Sequence, residues 1–158
     1  MPPLIAIGLV LAATADFPDW RHPAWGSSPA DVAGALGPDF KREGGEVRSD
    51  VVGMDEKVRG RFVYGPYAVY AKFFFQSYRL TLITFKLDRP ESCPDLDFQF
   101  ASRLGKPVLY EHMAGGGFVD AWDSPRSRDR WVLSGGAGKA AYCDLTIGPP
   151  RRDRFNTQ

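Results

Sequence analysis

Residues 68–87, with the sequence AVYAKFFFQSYRLTLITFKL, are the stretch that decides the fold. Aromatic and β-branched residues dominate this stretch, which favours β-strands, and Gln76-Ser77 interrupts it as a turn. The pattern predicts two antiparallel strands, 68–75 and 78–87. Because side chains alternate between the two faces of a strand, one face is predicted to hold Val69, Ala71, Phe73, Phe75, Thr81, Ile83, Phe85 and Leu87. The other face is predicted to hold Tyr70, Lys72, Phe74, Tyr78, Leu80, Leu82, Thr84 and Lys86.

Further strand-like segments lie on both sides of this pair. The upstream segments are 61–65 and a weaker candidate at 47–52, and the downstream segments are 108–113, 118–123, 130–133 and 140–147. Turns rich in glycine and serine separate the downstream segments. Short connections between successive strands are typical of antiparallel meanders.

Each group of strands is preceded by a helix signal. The motifs Ser28-Pro29-Ala30-Asp31 and Ser92-Cys93-Pro94-Asp95 both combine a capping serine, a proline suited to the first turn and an acidic residue. The acidic residue also complements the positive end of the helix dipole. Gly37-Pro38 and Gly105-Lys106-Pro107 are predicted to end the two helices.

The repeated order of a helix followed by strands predicts an α+β fold. It has two helix-plus-β-meander halves, about 25–87 and 92–147, with the helices on one face of an antiparallel sheet. Residues 16–150 are expected to form a single domain, because a chain of this length can build one hydrophobic core. The charged end, 151–158, is expected to be a flexible tail.

The first fifteen residues have the pattern of a signal peptide. An uncharged apolar run ends at Ala13-Thr14-Ala15, a small-x-small cleavage pattern, and polarity begins at Asp16. We therefore expect 1–15 to be removed and the protein to be periplasmic or secreted. The run is too short to cross a bilayer, which needs about 20 residues. The alternative is a buried N-terminal strand or helix.

The two cysteines, Cys93 and Cys143, are expected to form one disulfide in an exported protein. The strand alternation points Cys143 inward, toward the predicted second helix on which Cys93 lies. Two free buried thiols are the alternative if the protein is not exported. The sequence contains no C-x-x-C motif, so a thioredoxin-like function is poorly supported.

The composition is that of an ordinary globular domain. Of the 158 residues, 44% are hydrophobic and 25% are charged, which argues against a disordered chain. The formal net charge of +1 predicts no nucleic-acid partner, because such proteins carry a basic surface. No cofactor and no metal are expected, since two isolated histidines and two disulfide-forming cysteines do not make a ligand set. Residues 134–139 lack the spacing of a phosphate-binding loop.

The chain resembles a class of small exported bacterial proteins. The resemblance rests on Trp25-Gly26-Ser27-Ser28, a short helix ending at Leu36-Gly37, a β-meander, and a second helix ending at Leu104-Gly105-Lys106-Pro107. It is to the architecture of the β-lactamase inhibitor protein and of the small outer-membrane-assembly lipoproteins, and it covers about 25–147. That resemblance implies helices on one sheet face and a second face available to a partner. It supplies no catalytic residues, and the chain lacks the lipobox cysteine of the lipoproteins.

An aromatic set on the outer face is the best candidate for a binding site. Aromatic residues with basic residues nearby are typical of protein-binding hot spots. The set consists of Tyr70, Phe74, Tyr78 and Tyr142, with Trp122 or Trp131 beside them. It predicts an exported, non-catalytic binding domain of the bacterial envelope with a protein partner. A second layer or a dimer mate that covers these residues is the alternative.

Two other functions stay open from the sequence. The first is a small exported hydrolase in which His112 acts with Asp120 and Asp123. The second is a carrier that holds a small apolar ligand between sheet and helices. Converging polar groups in a pocket would favour the enzyme, and a deep dry pocket would favour the carrier.

Overall fold

The computed structural model describes residues 22–42 and 53–150. The predicted signal peptide 1–15, the weak strand 47–52 and the tail 151–158 lie outside the described residues. The described residues form an α+β fold with two α-helices and one eight-stranded antiparallel sheet, which confirms the predicted fold class. In chain order the elements are α1 (Pro29–Leu36), β1 (Phe40–Arg42), β2 (Asp55–Tyr64), β3 (Tyr67–Gln76), β4 (Arg79–Leu87), α2 (Cys93–Leu104), β5 (Leu109–His112), β6 (Phe118–Asp123), β7 (Arg130–Gly136) and β8 (Tyr142–Gly148).

The spatial order of the strands is β1-β2-β3-β4-β8-β7-β6-β5. Successive strands pair within each run of four, and β4 pairs with β8 at the centre of the sheet. The edge strands are therefore β1 and β5. No helix in the described part of the chain is long and apolar enough to span a bilayer.

The hydrophobic core lies between one face of the sheet and the two helices. Val32 of α1 and Leu96 and Phe100 of α2 are fully buried and belong to the same core cluster. The sheet supplies the remaining buried side chains of this cluster, among them Val58, Val69, Ala71, Phe73, Ile83, Phe85, Trp122, Trp131, Leu133, Leu145 and Ile147. The inward alternation expected for β3 is confirmed.

The first helix begins and ends as its sequence predicts. Ser28 has an extended backbone, and its hydroxyl accepts a hydrogen bond from the backbone N–H of Asp31. The second helix differs at its start, because a 3-10 turn over Pro90–Ser92 precedes it. Ser92 therefore has a helical backbone and makes no capping hydrogen bond, so its predicted capping role is wrong. Gly37 and Gly105 end the helices with positive φ angles, as predicted.

A bulge in β4 changes the predicted alternation. Phe74 pairs with Leu82 and Phe75 pairs with Leu80, so Thr81 is an extra residue on β4. The extra residue returns Leu80 to the core face, where it is buried, and its predicted outward position is wrong. The turn also lies one residue later than expected, because Ser77 and Tyr78 both have positive φ angles.

The disulfide between Cys93 and Cys143 is confirmed, with a Cα–Cα distance of 5.5 Å. Cys93 is the first residue of α2 and Cys143 lies in β8. The bridge therefore joins the start of the second helix to a central strand of the sheet.

Candidate functional site

Three of the five predicted binding residues are accessible, at separate positions. Tyr70 lies on the sheet face opposite the helices, half-buried, with the Arg61 guanidinium carbon 5.9 Å from its ring centroid. Tyr142 lies on the same face, packed over Gly136. Tyr78 is exposed in the turn between β3 and β4.

The other two predicted binding residues are buried. Phe74 is only 3% exposed, although it lies on the face opposite Phe73 as expected. Trp122 is 1% exposed and belongs to the core, because α2 covers this part of β6. Its indole N–H donates to the carbonyl of Gly105 at 3.0 Å, and its ring centroid lies 5.4 Å from that of Phe100. The expected exposure of Phe74 and Trp122 is therefore wrong.

The sheet face opposite the helices is mixed in character. Tyr70, Lys86 and Asp144 lie side by side on β3, β4 and β8. Burial raises the pKa of Asp144, and the nearby Lys86 ammonium partly opposes that rise. This face therefore combines aromatic, basic and acidic groups and is not a continuous apolar surface.

His112, Asp120 and Asp97 form what we call the acid–histidine cluster. Tyr110 and Asp120 are cross-strand neighbours on β5 and β6, and His112 lies two residues after Tyr110 on the same face of β5. The Nε2 atom of His112 lies 3.1 Å from Oδ2 of Asp120, whose side chain is only 1% exposed. Asp97 approaches from α2, which packs over this face.

Two carboxyl oxygens in the cluster lack hydrogen-bond donors. Oδ1 of Asp97 and Oδ1 of Asp120 are both buried and have no partner among the described residues. The pKa of Asp97 is raised to about 6, first by burial and then by the Asp120 carboxylate and a hydrogen bond to it, while His112 partly opposes the rise. We expect the Asp97 proton to be shared between the two carboxyl groups, as in other close carboxyl pairs.

The imidazole of His112 lies at the surface end of the cluster. Its ring stacks on Tyr110, with centroids 4.0 Å apart and an interplanar angle of 21°. Nε2 of His112 lies beside the Asp120 carboxyl group, so Nδ1 is the ring nitrogen that is placed for other contacts. A buried carboxylate that orients a half-exposed imidazole can bind or transfer a proton.

The structure does not bring Asp123 to His112. Asp123 points to the opposite sheet face and accepts two hydrogen bonds from the Arg130 guanidinium, at 2.6 and 3.1 Å. The three-residue arrangement expected from the sequence therefore forms only in part, with Asp97 in place of Asp123. Among the described residues no group of His, Cys, Asp and Glu side chains has the arrangement of a metal site.

A second buried aspartate ties the N-terminal segment to the β6–β7 loop. Asp129 accepts a hydrogen bond from the Trp25 indole at 2.7 Å, and its other oxygen lies 3.0 Å from Nε2 of His22. Nδ1 of His22 lies 2.6 Å from the carbonyl of Pro23. More than 100 residues separate these partners, so no local pattern could have predicted this contact.

Exposed apolar side chains are most frequent at β5 and its flanking residues, which together with Phe98 of α2 we call the α2–β5 surface. In the part of the chain that the structure describes, eight large apolar side chains are exposed, and five of them lie here. These five are Phe98, Val108, Leu109, Tyr110 and Met113. Four of the five lie within residues 108–113 at an edge strand, and exposed apolar residues grouped in this way often mark an interaction site. The sequence signal for this site is the run 108–113, whose composition predicts a strand and not a binding surface.

A cavity of about 330 Å³ lies beside the disulfide. Its walls include Cys93, Pro94, Phe118 and Ala141, with the glycines of two neighbouring turns. The lining is mostly apolar, and its acidic residue, Glu91, is bound to the Arg89 guanidinium at 3.1 Å. The cavity therefore has room for a small apolar group but not the converging polar groups of a catalytic pocket.

No family model, no curated protein and no solved structure matches this chain.

Proposed function

We propose that this chain is an exported, non-catalytic protein-binding domain of the bacterial envelope, and that the α2–β5 surface is its main contact. The observation that carries the proposal is the group of exposed apolar residues at β5, together with the exposed Phe98 on α2. Phe98 is 73% exposed and Tyr110 is 64% exposed, although both are large aromatic side chains. Aromatic residues of this kind supply much of the energy at protein interfaces.

A location outside the cytoplasm is part of the proposal. The signal-like segment 1–15 supports it, and so does the disulfide between Cys93 and Cys143. Structural disulfides persist mainly in oxidising compartments, such as the periplasm and the extracellular space.

The face opposite the helices is the second candidate contact within the same function. Tyr70 and Tyr142 are accessible there, and the resemblance noted from the sequence implies that this face is available to a partner. The proposed division into halves, about 25–87 and 92–147, is supported by the order of a helix and four strands, which occurs twice.

The test is capture of a partner from an envelope extract of the producing bacterium, with four single variants in parallel. Phe98→Ala and Tyr110→Ala alter the α2–β5 surface, and Tyr70→Ala and Tyr142→Ala alter the opposite face. A protein that wild type captures should be lost with the first pair and retained with the second. Loss with the second pair alone would move the contact to the opposite face. Equal capture by all four variants would contradict both contacts.

A small hydrolase is the second candidate function, and one observation favours it. Asp120 orients His112 beside the raised-pKa carboxyl group of Asp97, which is an arrangement suited to acid–base chemistry. A panel of ester, amide and glycoside substrates tests it. Turnover that His112→Gln abolishes, while Tyr142→Ala leaves it intact, would favour the enzyme over the binding domain.

A further inference from the structure

We infer that β5 accepts an extended segment of the partner as an additional strand, and that this segment carries a basic residue with an apolar residue two positions away on each side. The inference rests on the proposed protein-binding function and deepens it, because it names the backbone contact and the chemistry of the partner. Its evidence lies in the backbone of β5, in the alternation of its side chains and in its charge.

The outer edge of β5 is open in the described part of the chain. β5 is the last strand of the sheet order and pairs only with β6. All four of its residues, Leu109–His112, are exposed. The opposite edge strand, β1, is three residues long and carries Lys41 and Arg42, which is the usual protection of an edge against pairing. β5 lacks such lysine or arginine residues.

The hydrogen bonds between β5 and β6 show which backbone groups face outward. The N–H of Met113 donates to the carbonyl of Gly117 at 2.8 Å, and bonded and non-bonded pairs alternate along an antiparallel ladder. Tyr110, opposite Asp120, and His112, opposite Phe118, are therefore in non-bonded pairs. Their N–H and C=O groups point away from β6 and are placed to bond an added strand.

The side chains around Glu111 define the partner's chemistry. Glu111 is exposed and has no ion-pair partner among the described residues. Leu109 and Met113 flank it on the same face, two residues away on each side, and both are exposed. An added strand that bonds to Tyr110 and His112 places one residue directly opposite Glu111, in the closer, non-bonded type of pair. A lysine or arginine at that position, with apolar residues two positions away, complements all three side chains.

The same argument disfavours a second copy of this chain as the added strand. In a two-fold dimer of this kind, the outward backbone groups of Tyr110 in one copy bond to those of His112 in the other copy. Glu111 of one copy then lies directly opposite Glu111 of the other. Like charges directly opposite each other destabilise a strand pair. For the register that uses the outward groups of both Tyr110 and His112, the occupant is therefore a different segment, with the opposite charge at its centre.

The probe is the capped peptide Ser-Thr-Val-Thr-Lys-Thr-Val-Thr-Ser, with a second peptide that has glutamate in place of the lysine. Titration of the full chain with each peptide, followed by amide NMR and hydrogen exchange, measures binding residue by residue. The lysine peptide should protect the amides of Tyr110 and His112 and should bind about two- to five-fold more tightly than the glutamate peptide. Glu111→Lys, at an exposed position, should reverse this preference.

A matched pair of variants at one position isolates the backbone contribution. Tyr110→Ala removes the side chain and keeps the outward N–H, whereas Tyr110→Pro removes both, and proline is tolerated on edge strands. The proline variant should bind the lysine peptide about five-fold more weakly than the alanine variant. Unchanged exchange of the β6 amides shows that both variants remain folded.

Three results would overturn the inference. The first is that millimolar lysine peptide leaves the amides of Tyr110 and His112 unprotected from exchange. The second is equal binding of the two peptides. The third is a concentration-dependent dimer that Glu111→Lys abolishes. The first result, together with partner capture that is sensitive to Phe98→Ala, would reject strand addition and leave the proposed function standing. The same result without such capture would reject both.

Discussion

At the scale of single residues, the acid–histidine cluster places the carboxyl groups of Asp97 and Asp120 close together. Two carboxyl groups meet in a partly buried site, where burial and the Asp120 carboxylate disfavour ionisation of Asp97. The folded chain therefore binds the Asp97 proton more tightly than the unfolded chain, whose pKa lies near the ordinary value of 3.8. A pKa that is raised on folding contributes stability that is lost as the pH rises from about 4 to about 6.

The Asp97→Asn substitution should remove this loss. The neutral amide can donate to the unpartnered oxygen of Asp120, so the variant should be more stable than wild type at pH 7. The gain should be on the order of 1 kcal/mol, since Asp97 is partly exposed and solvent screens its charge. Urea unfolding at pH 4, 5, 6 and 7 measures it, with Glu111→Gln as the control at an exposed acid. A variant less stable than wild type at pH 7 would contradict the shared-proton arrangement.

A second prediction at this scale concerns Gly135, which lies under Phe118. A methyl group at Gly135 would overlap the Phe118 ring and lie 2.9 Å from Sγ of Cys93. Gly135→Ala should therefore lower the free energy of unfolding by about 1–3 kcal/mol through overpacking. Gly115→Ala is the control, because its added methyl group meets open space. Similar effects of the two substitutions in thermal unfolding would show that the Phe118 contact is looser than described.

At the scale of elements, α2 has one buried face and one exposed face. Phe100 is fully buried against Trp122 and Trp131, with both ring centroids 5.4 Å away. Phe98, two residues earlier, is on the exposed side and belongs to the α2–β5 surface. One face of the helix therefore packs against the core, and the other face exposes an aromatic residue.

Alanine substitutions should distinguish the buried face of α2 from its exposed face. Phe100→Ala should cost about 3–5 kcal/mol of folding stability, because it leaves a cavity between the two tryptophans. Phe98→Ala should change stability by at most about 0.5 kcal/mol, as an exposed position, while it weakens partner capture. Chemical unfolding of both variants is the measurement. If Phe98→Ala unfolds the domain, the α2–β5 surface is core, and the main support of the proposed function is lost.

At the scale of the whole molecule, one covalent bond links α2 to the centre of the sheet. The bridge closes a loop with a sequence separation of 50 residues, so it restricts the unfolded chain strongly. Because β8 pairs directly with β4, it also anchors α2 beside the strand pair that joins the two runs of strands.

Removal of the disulfide should destabilise the whole domain. In the chain-entropy treatment, a loop of this length contributes roughly 4 kcal/mol. The double substitution Cys93→Ala with Cys143→Ala should lose about that amount in urea unfolding, and reduction of wild type should give a matching loss. A double variant within about 1 kcal/mol of wild type would show that the bridge contributes little to folding.

Much of the fold could be predicted from local patterns. The capping box at Ser28 and the glycines at 37 and 105 depend on neighbours within one helical turn, so the local sequence predicts both features. The alternation of β3 likewise depends on strand geometry alone. The pairing of Cys93 with Cys143 followed from their even number and from the inward position of Cys143.

Only the tertiary structure decided which surfaces are free and which polar groups meet. The extra residue at Thr81 turns Leu80 inward, and a bulge of this kind depends on the partner strand as well as on the local sequence. Trp122 is buried because α2 packs over β6, and Asp97 meets Asp120 for the same reason. Strand order places β5 at an edge, which makes its residues candidates for binding. By itself the amino-acid sequence determined the elements, the core face of β3 and the disulfide, because those depend on short-range geometry. The location of the candidate site depends on how the elements pack, which is a property of the whole chain.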